Sequence, residues 1–317
     1  MIPAIGAELM RRTWITDIRT WDSPDPVDDG VSLLADAIRE AVPAHGCLGV
    51  PMGAETHLRM PLADHARLLG LLSPRRIADA APLLHRVREI KSEAETEAIR
   101  ATCRITGAAF ARMADFAGAG CPMDAVFRGF QAALLHEGAD WVAYVAGGAG
   151  PGGYGDVISP ADSTPLQRGD VLMLDTGAVR GGYYCDFNRN FAIGRPDAAA
   201  QRAHAALHAA TEAALAALRP GMTAAELHSV ISGALSARGA VPLGGRLGHG
   251  LGISLTEWPS LTPKDDTVLR EGMVLAIEPG IEVTPVRIMV HEENVVLRAH
   301  GPDLLSLPAG PDLPVLE

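Results

Sequence analysis

The clearest hydrophobic pattern in the chain is a pair of apolar runs that each carry an aspartate. Residues 171–174 are apolar and lead into Asp175, and a second strand-like run, after a turn at residues 180–182, carries Asp186. Glycine tolerates the positive φ that tight hairpin turns require, so the two glycines in this turn predict a β-hairpin. With residues 180 and 181 as a two-residue loop, Asp175 lies directly opposite Asp186, with Cβ atoms roughly 5 Å apart. Carboxylates so placed repel each other unless a cation lies between them, so the hairpin predicts a metal site.

A second pair of apolar runs repeats this pattern further along the chain. Residues 272–277 lead into Glu278, and residues 287–297 carry Glu292. A turn centred on Pro285 places the two glutamates opposite each other on one face of a second hairpin. The chain therefore contains two predicted hairpins, each with a pair of carboxylates.

A histidine completes this candidate ligand set. His249 lies between Gly248 and Gly250, which allow the backbone to come close to a site. One imidazole and four carboxylates form a hard, oxygen-rich set that suits Mn, Co, Fe(II) or Zn and is poor for Cu(I) or an iron–sulfur cluster. Carboxylates shared by two ions hold them about 3.5–4 Å apart, which is the separation used in two-metal hydrolysis.

The segments before each strand pair show the periodicity of helices. Residues 83–117 predict one long helix, with Ile90, Ala94, Ala98 and Ile105 on its apolar stripe. Helices followed by a strand pair occur twice, which predicts a duplicated α+β unit. The remaining predicted elements are strands over residues 46–50 and 141–146 and helices over residues 64–72, 122–136, 204–218 and 224–238.

These segments resemble the pita-bread metallopeptidases, the family of methionine aminopeptidase, aminopeptidase P, prolidase and creatinase. The resemblance covers roughly residues 87–297, and its motifs are specific because five ligand types recur in order. It implies that Asp175 chelates one of two divalent ions and that Asp186 and Glu292 bridge both. It also implies that His249 and Glu278 complete the second ion and that Glu278 handles the proton of the activated water.

The same resemblance implies the fold and the domain organisation. We expect an α+β chain in which a duplicated pita-bread catalytic domain, residues 87–317, follows a small creatinase/prolidase-type α/β domain, residues 1–86. The strands that usually open that small domain are missing from the sequence. Two alternatives stay open, namely a shortened domain and a chain that starts earlier. Family members are usually dimers, so we expect a homodimer.

The residues with which the family binds substrate are only partly retained. Family peptidases usually carry a second histidine seven residues after the metal-binding one, where this chain has Thr256. They also carry a histidine before the first metal strand, but residues 147–159 contain none, and an arginine of many proline peptidases is replaced by Val290. Thr256 can donate one neutral hydrogen bond but cannot supply a proton or a positive charge. We expect Trp258 to wall off part of the substrate pocket.

Composition excludes several classes of partner. A net charge of −11 argues against nucleic acid or an anionic membrane surface as a partner. The chain has no apolar run of the roughly 18 residues that span a membrane, and its start lacks the pattern of a signal peptide. The four cysteines show no CxxC spacing, so we interpret them as free thiols in a cytoplasmic protein.

Other motifs favour ordinary structural roles. Residues 148–153 match G-x-G-x-x-G, but prolines occupy the place of the following helix, so we interpret the segment as a flexible loop at the mouth of the site. Asp186 and the residues after it imitate the start of a calcium loop but lack its glycine and closing glutamate. His204, His208 and Glu212 share one helix face, which we interpret as half-exposed. Cys185 is expected in the core, and His291 is expected to be structural.

Three functions are compatible with these features. We favour an enzyme in which a metal-activated hydroxide attacks the amide of a small Xaa-Pro-type peptide, with Glu278 and Thr256 as catalytic residues. The second hypothesis keeps the ions but changes the substrate to a small polar non-peptide, in the manner of creatinase or a lyase. The third is a catalytically silent binding module. Retention of all five ligands argues against the third, because buried carboxylates are costly.

Overall fold

The structure is a computed structural model that describes residues 1–317, and these divide into the units Met1–Leu84 and His85–Glu317. The boundary predicted from the sequence, between residues 86 and 87, stays a prediction. The helix Ala81–Arg88 contains both this predicted boundary and the boundary between Leu84 and His85. None of the helices is long and apolar enough to cross a lipid bilayer.

The first unit contains two small parallel strand pairs and two longer amphipathic helices. Its apolar core is formed by Val31 and Ala35 of one helix and Leu68 and Leu72 of the other. The predicted strand near residues 46–50 and the helix near residues 64–72 are both present, and the strand Cys47–Val50 pairs in parallel with the strand Arg76–Asp79. In chain order the elements are β1 (Ile2–Pro3), α1 (Ala7–Met10), β2 (Thr20–Trp21), α2 (Val31–Ala41), β3 (Cys47–Val50), α3 (Leu62–Leu72) and β4 (Arg76–Asp79).

The first half of the second unit consists of helices followed by an antiparallel sheet. In this sheet the strand Asp170–Arg180 lies between Trp141–Pro151 and Phe187–Ile193, and the short strand Tyr183–Tyr184 pairs with its end. The predicted helix after Pro122 is confirmed, and the predicted strand at residues 141–146 extends further than expected. Helix α4 (Ala81–Arg88) contains the boundary between the two units, and the elements that follow it are α5 (Glu93–Ala111), α6 (Met123–His136), β5 (Trp141–Pro151), β6 (Asp170–Arg180), β7 (Tyr183–Tyr184) and β8 (Phe187–Ile193).

The prediction of one long helix over residues 83–117 was wrong. The chain leaves the helical conformation after Arg88, where Ile90 forms an isolated bridge with Met273. Ser92 then begins α5 with a capping box, in which its side chain accepts from the N–H of Glu95 while the Glu95 carboxylate accepts from the N–H of Ser92. This capping box was a sequence signal that the hydrophobic stripe alone did not reveal.

The second half repeats the order of helices and strands. Here the strand Val274–Ile277 lies between Gly248–Gly250 and Glu293–Arg298, and Gly280–Thr284 pairs with Arg287–Val290 in a separate three-stranded sheet. The last strand, β17, returns to pair in parallel with β8 of the first half. The elements are α7 (Ala198–Ala217), α8 (Ala224–Ser236), β9 (Val241–Pro242), β10 (Gly248–Gly250), β11 (Glu257–Ser260), β12 (Val274–Ile277), β13 (Gly280–Thr284), β14 (Arg287–Val290), β15 (Glu293–Arg298), β16 (Gly301–Leu304) and β17 (Val315–Leu316).

The central strands are buried on both faces. Along β6, Val171 and Met173 pack into one hydrophobic cluster, whereas Leu172 and Leu174 pack into another. Side chains of a strand alternate between faces, so a strand covered on both sides must be apolar at every position. Because the four residues before Asp175 are packed into these two clusters, the aspartate is held inside the second unit.

The register of the first hairpin differs from the prediction. Arg180 pairs with Tyr183, so Gly181 and Gly182 form the two-residue loop, and both adopt positive φ. A type I′ turn requires positive φ at both central residues, which favours the glycine pair over a loop that includes arginine. Asp175 consequently lies opposite Asn188 rather than Asp186. Because Asp186 is two residues before Asn188, the two aspartates are diagonal neighbours on the same face.

The register of the second hairpin agrees with the prediction. The pair Ile277 and Glu293 on one side, and the pair Gly280 and Val290 on the other, bracket the two predicted glutamates and bring them opposite each other. Pro285 and Val286 form the loop, because Thr284 pairs with Arg287.

The glycine-rich segment before residue 153 is not the flexible loop that the sequence predicted. Residues up to Pro151 belong to β5 and pair with β6. A Cβ at Gly147 would lie 2.1 Å from the carbonyl oxygen of Met173, so glycine is required there for close strand pairing.

Candidate metal centre

All five predicted ligands line one cavity of about 410 Å³ in the second unit. Asp175, Asp186, His249, Glu278 and Glu292 share it with a wall that is mostly apolar. The other lining residues are Tyr144, Val145, Ala146, Val157, Ile158, Pro160, Arg246, Leu255 and Thr256. The two predicted hairpins and the glycine-flanked histidine therefore meet in space.

Both halves of the second unit contribute to this cavity. Asp175 comes from the middle of β6, and Asp186 lies in the short gap between β7 and β8. His249 is the central residue of β10, which runs beside β12. A Cβ at Gly248 would lie 2.2 Å from the carbonyl oxygen of Ala276, so this glycine lets the histidine strand approach its neighbour closely.

Three of the five side chains converge tightly enough to share one ion. Ligand atoms of Asp186, His249 and Glu292 all lie within 4.8 Å of one another, and His249 Nε2 is 3.3 Å from Asp186 Oδ2. His249 Nδ1 lies 2.8 Å from the carbonyl oxygen of Gly250. That contact favours the proton on Nδ1 and leaves Nε2 as the metal-facing nitrogen.

The electrostatics of the cavity call for cations. Burial, followed by repulsion from Asp186, raises the pKa of Asp175 well above its usual range. Burial and the surrounding carboxylates raise the pKa of Glu292 in the same way, and burial is also the main cause of a raised pKa at Glu278. Asp175 Oδ1 is buried without a hydrogen-bond partner. Buried carboxylates are normally paired or coordinate metals, so these residues fit divalent ions.

Several residues that the sequence did not single out hold Asp186 in place. Tyr144 Oη donates to Asp186 Oδ1 at 2.6 Å. The backbone N–H of Asp186 donates to Asn294 Oδ1 at 2.9 Å, and Asn294 Nδ2 donates back to the carbonyl oxygen of Asp186. Asn294 thus replaces the strand pairing that the gap between β7 and β8 lacks. Nothing in a single sequence marks an asparagine in an apolar run for this purpose.

A second network fixes the strand that carries Glu292. Arg189 donates to the backbone carbonyl oxygen of Glu292 at 2.9 Å and to Glu293 Oε2 at 2.9 Å. Although burial opposes it, the Arg189 charge together with hydrogen bonds from His291 and Ser306 holds the pKa of Glu293 at about 2. Glu293 is therefore a structural anion next to the candidate ligand.

The histidines outside the predicted ligand set are separate from the cavity. The His291 ring lies 6.3 Å from the His204 ring and 6.4 Å from the His208 ring, and its Nε2 is 3.4 Å from Glu293 Oε1. The prediction of a half-exposed helix face was wrong for His204, which is buried. Glu212 is exposed. Cys185 is buried beside Thr106, in agreement with its predicted place in the core, and all four cysteines are free.

The cavity lining also contains Thr256 and a cation that sequence reasoning missed. Arg246 Nη2 donates to Thr256 Oγ1 at 3.3 Å, and both residues line the cavity. Its position three residues before His249 was the available signal. Trp258, by contrast, does not line this cavity, because its indole N–H donates to Thr267 Oγ1 and its ring stacks on His85. The expected wall is formed by Leu255 instead.

A buried ion network anchors the segment that carries Leu255 and Thr256. Glu257 accepts from Lys91 Nζ at 2.9 Å and from Arg88 Nη2 at 2.5 Å, and the Lys91 and Glu257 side chains are only 2% and 4% exposed. Arg88 also donates to Ser254 Oγ at 2.6 Å. The junction between α4 and α5, which broke the predicted long helix, therefore supports the part of the cavity wall that carries Leu255 and Thr256.

Residues 97–299 match the model of the sequence family described as metallopeptidase family M24. The probable dipeptidase PepE of Mycobacterium tuberculosis is 33% identical over 240 residues, which cover 75% of this chain and 62% of that protein. The Xaa-Pro dipeptidase of Pyrococcus furiosus is 33% identical over 147 residues, which cover 46% of this chain and 42% of that protein. The chain thus spans less than two thirds of the length of these curated relatives.

Solved structures resemble this one along nearly the whole chain. The crystal structure of an X-Pro aminopeptidase from Thermotoga maritima has a TM-score of 0.83 and 24% identity, and covers 99% of this chain and 85% of that chain. The dipeptidase PepE from Mycobacterium ulcerans has a TM-score of 0.80 and 28% identity, and covers 99% of this chain and 82% of that chain. Both units of this chain therefore have counterparts in known folds.

Proposed function

The chain belongs to metallopeptidase family M24, and from that premise we propose that it is a dinuclear metal-dependent hydrolase of small Xaa-Pro-type dipeptides. Its fold is the pita-bread fold that the sequence predicted. The observation that carries the proposal is the convergence of four carboxylates and one imidazole in a single cavity. The relatives support the substrate class, since they are named dipeptidases and Xaa-Pro dipeptidases.

The five residues would hold two divalent ions, with manganese, cobalt, zinc and iron as the candidates. Asp175 would chelate one ion, Asp186 and Glu292 would bridge both, and His249 and Glu278 would complete the second. When bound, such ions polarise a carbonyl group and lower the pKa of a water molecule toward about 7. The unpartnered Asp175 Oδ1 and the raised pKa of Glu292 support this assignment.

The residues of the chain would then position the peptide and move protons. Glu278 would accept the proton of the attacking water and pass it to the leaving amine, because its carboxylate lines the same cavity as the other candidate ligands. Thr256 would donate one neutral hydrogen bond to the scissile carbonyl group. The Tyr144 hydroxyl group would keep Asp186 oriented through the hydrogen bond that it donates.

Activity on a substrate panel tests this function. The protein, stripped of metal and reloaded with Mn²⁺, is assayed against Xaa-Pro dipeptides, other dipeptides and small non-peptide amides. We expect hydrolysis of dipeptides that disappears with a chelator. Turnover of a non-peptide amide alone would support the second hypothesis, a small polar non-peptide substrate. Full metal loading without turnover of any compound would support a binding module.

The assembly and location of the protein stay predictions. The resemblance to the pita-bread family implies a homodimer, and the expected location is cytoplasmic. The acidic net charge of −11 still argues against nucleic acid as a partner.

A further inference from the structure

Three histidines that the proposed reaction does not use meet between α7 and the end of β14. His204 and His208 lie four residues apart in α7, a spacing that places both side chains on one face of the helix. The His291 ring lies 6.3 Å from the His204 ring and 6.4 Å from the His208 ring. His204 and His291 also line a second cavity, of about 210 Å³, which shares no lining residue with the carboxylate cavity.

The hydrogen bond of His204 determines which of its ring nitrogens keeps a lone pair. Its Nε2 lies 3.0 Å from the carbonyl oxygen of Gly310. A carbonyl oxygen can only accept, so the proton is on Nε2 and Nδ1 has a bare lone pair. This Nδ1 is buried without a hydrogen-bond partner, in a residue that is 1% exposed. Burial lowers the pKa of the imidazole to about 4, so the ring is neutral at pH 7.

His291 has a similar arrangement of its two nitrogens. Its Nε2 lies 3.4 Å from Glu293 Oε1, and an ionised carboxylate can only accept, which leaves Nδ1 with the lone pair. Histidines that bind metals almost always donate their other N–H to a backbone carbonyl group or a carboxylate, and His204 and His291 have one of each. Arg189 also lines the second cavity, but it is paired with Glu293 at 2.9 Å, so its charge is balanced.

We propose that His204, His208 and His291 bind a transition-metal ion, such as Zn²⁺ or Cu²⁺, at a site separate from the carboxylate centre. Neutral imidazole suits zinc, copper and nickel, whereas manganese prefers oxygen ligands. In a tetrahedral site with Zn–N bonds of about 2.0–2.1 Å, the ring centres lie roughly 5–5.5 Å apart. The rings would therefore approach one another by about 1 Å on binding. His208 is half-buried, which gives its side chain room to turn.

A count of bound metal tests this proposal on the metal-loaded protein. The protein is loaded with two equivalents of Zn²⁺ per chain, desalted, exposed to excess Cu²⁺ and desalted again before elemental analysis. We expect a total near three ions per chain for the wild type, and near two for His204→Gln and for His208→Gln. His136→Gln, at an exposed histidine of α6, should keep three. A total near two in the wild type, or near three in both ligand variants, would overturn the proposal.

The two ligand variants are chosen to keep the fold. Glutamine at position 204 can still donate to the carbonyl oxygen of Gly310. His208 is only half-buried, so His208→Gln carries the test if His204→Gln does not fold.

The spectrum of the bound copper separates the two sites. The carboxylate centre offers one imidazole, that of His249, whereas the proposed site offers three. Electron paramagnetic resonance of the zinc-loaded wild type with one equivalent of Cu²⁺ should show coupling to more than one nitrogen, and both glutamine variants should lose this signal. Coupling to at most one nitrogen in the wild type would overturn the proposal. Neither measurement involves turnover, so the result is independent of the proposed peptidase function.

Discussion

At the scale of single residues, the cavity is lined by buried carboxylates whose charges must be balanced by hydrogen bonds or cations. Asp186 has the most contacts among the candidate ligands, with His249, Tyr144 and the side chain of Asn294 around it. Its removal should therefore affect every ion in the site. Residues at the rim, such as Thr256, should affect substrate and leave the ions in place.

The first residue-scale prediction concerns metal content. The wild type should bind roughly two divalent ions per chain, and Asp186→Ala should lose both because the shared ligand is gone and the remaining carboxylates repel each other. Elemental analysis after dialysis measures the content. Asp266→Ala, an exposed aspartate outside the cavity, is the control. A metal content near two in Asp186→Ala would refute the bridging role.

The second prediction concerns the threonine that stands in place of a histidine. A positioned proton donor is worth roughly 10²–10⁴-fold in rate, so wild-type turnover of Xaa-Pro dipeptides should be slow and limited by kcat. Thr256→His should raise kcat, whereas Thr256→Val, which keeps the shape without the hydroxyl group, should lower it. Brisk wild-type turnover that is indifferent to Thr256→Val would show that this residue has no catalytic role.

The third prediction is a pH dependence of stability from His204. Burial lowers the pKa of this imidazole to about 4, and the nearby His291, His208 and Arg189 add to the effect. Above pH 6.5 the histidine is neutral in both states, but between pH 6.5 and 4 only the unfolded state takes up the proton. Stability should therefore fall as the pH decreases, by about 2–3 kcal/mol from this group.

The variant His204→Gln isolates this effect, since glutamine can still donate to the carbonyl oxygen of Gly310 that His204 Nε2 contacts. Urea unfolding of both metal-free proteins from pH 7.5 to 4 gives the difference in the free energy of unfolding. As the pH decreases from 7.5 to 4, the free energy of unfolding of the wild type should fall more than that of His204→Gln. A constant difference across this range would exclude a buried neutral histidine.

At the scale of elements, the short connection between α4 and α5 supports the part of the cavity wall that contains Leu255 and Thr256. The break between α4 and α5 supplies Arg88 and Lys91, which hold Glu257 and thereby the segment with Leu255 and Thr256. A Cβ at Gly252 would lie 2.8 Å from the Glu257 carboxylate, so a larger residue there would displace this side chain. Substitutions in the α4–α5 junction should therefore displace Leu255 and Thr256 in the cavity wall.

Removal of one partner tests the junction. Lys91→Met leaves the buried Glu257 with Arg88 alone, and breaking such a pair should cost about 3 kcal/mol in the free energy of unfolding. The displaced wall should also raise KM for peptides while metal content is unchanged. Lys264→Met, at an exposed lysine, is the control. Stability of Lys91→Met within about 0.5 kcal/mol of the wild type would contradict a buried ion pair.

At the scale of the whole molecule, the second unit is built from two halves that complete each other. Asp175 and Asp186 come from the first half, whereas His249, Glu278 and Glu292 come from the second. Asn294 reaches across to the backbone of Asp186, and β17 pairs with β8. Neither half holds the full ligand set.

The oligomeric state is the prediction that belongs to this scale. The resemblance to the pita-bread family implies a homodimer, so sedimentation should give a species of roughly twice the chain mass of 33.2 kDa. The measurement is made over a range of micromolar concentrations in the metal-loaded protein. A single species of 33.2 kDa throughout would refute the dimer.

The local pattern of the sequence was sufficient for a duplicated α+β unit and for the five candidate ligands, whereas the pita-bread fold was implied by the family resemblance. The apolar runs that end in Asp175 and Glu278 form buried strands, and this burial fixes where the two carboxylates lie. The glycines on either side of His249 indicate a close approach of the backbone. These signals lie within a few residues of each other, so they need no knowledge of the rest of the chain. The capping box of Ser92 and Glu95 is also a local sequence signal, although the predicted helix ran through it.

Only the tertiary structure decided which distant residues meet. The register that pairs Asp175 with Asn188 depends on which two residues take positive φ in the loop, and the sequence allowed more than one choice. Arg246 beside Thr256 and Lys91 beside Glu257 are contacts across loops and between segments far apart in the chain. A charge in an isolated sequence carries no record of its partner, because pairing is set by packing and desolvation of the whole unit.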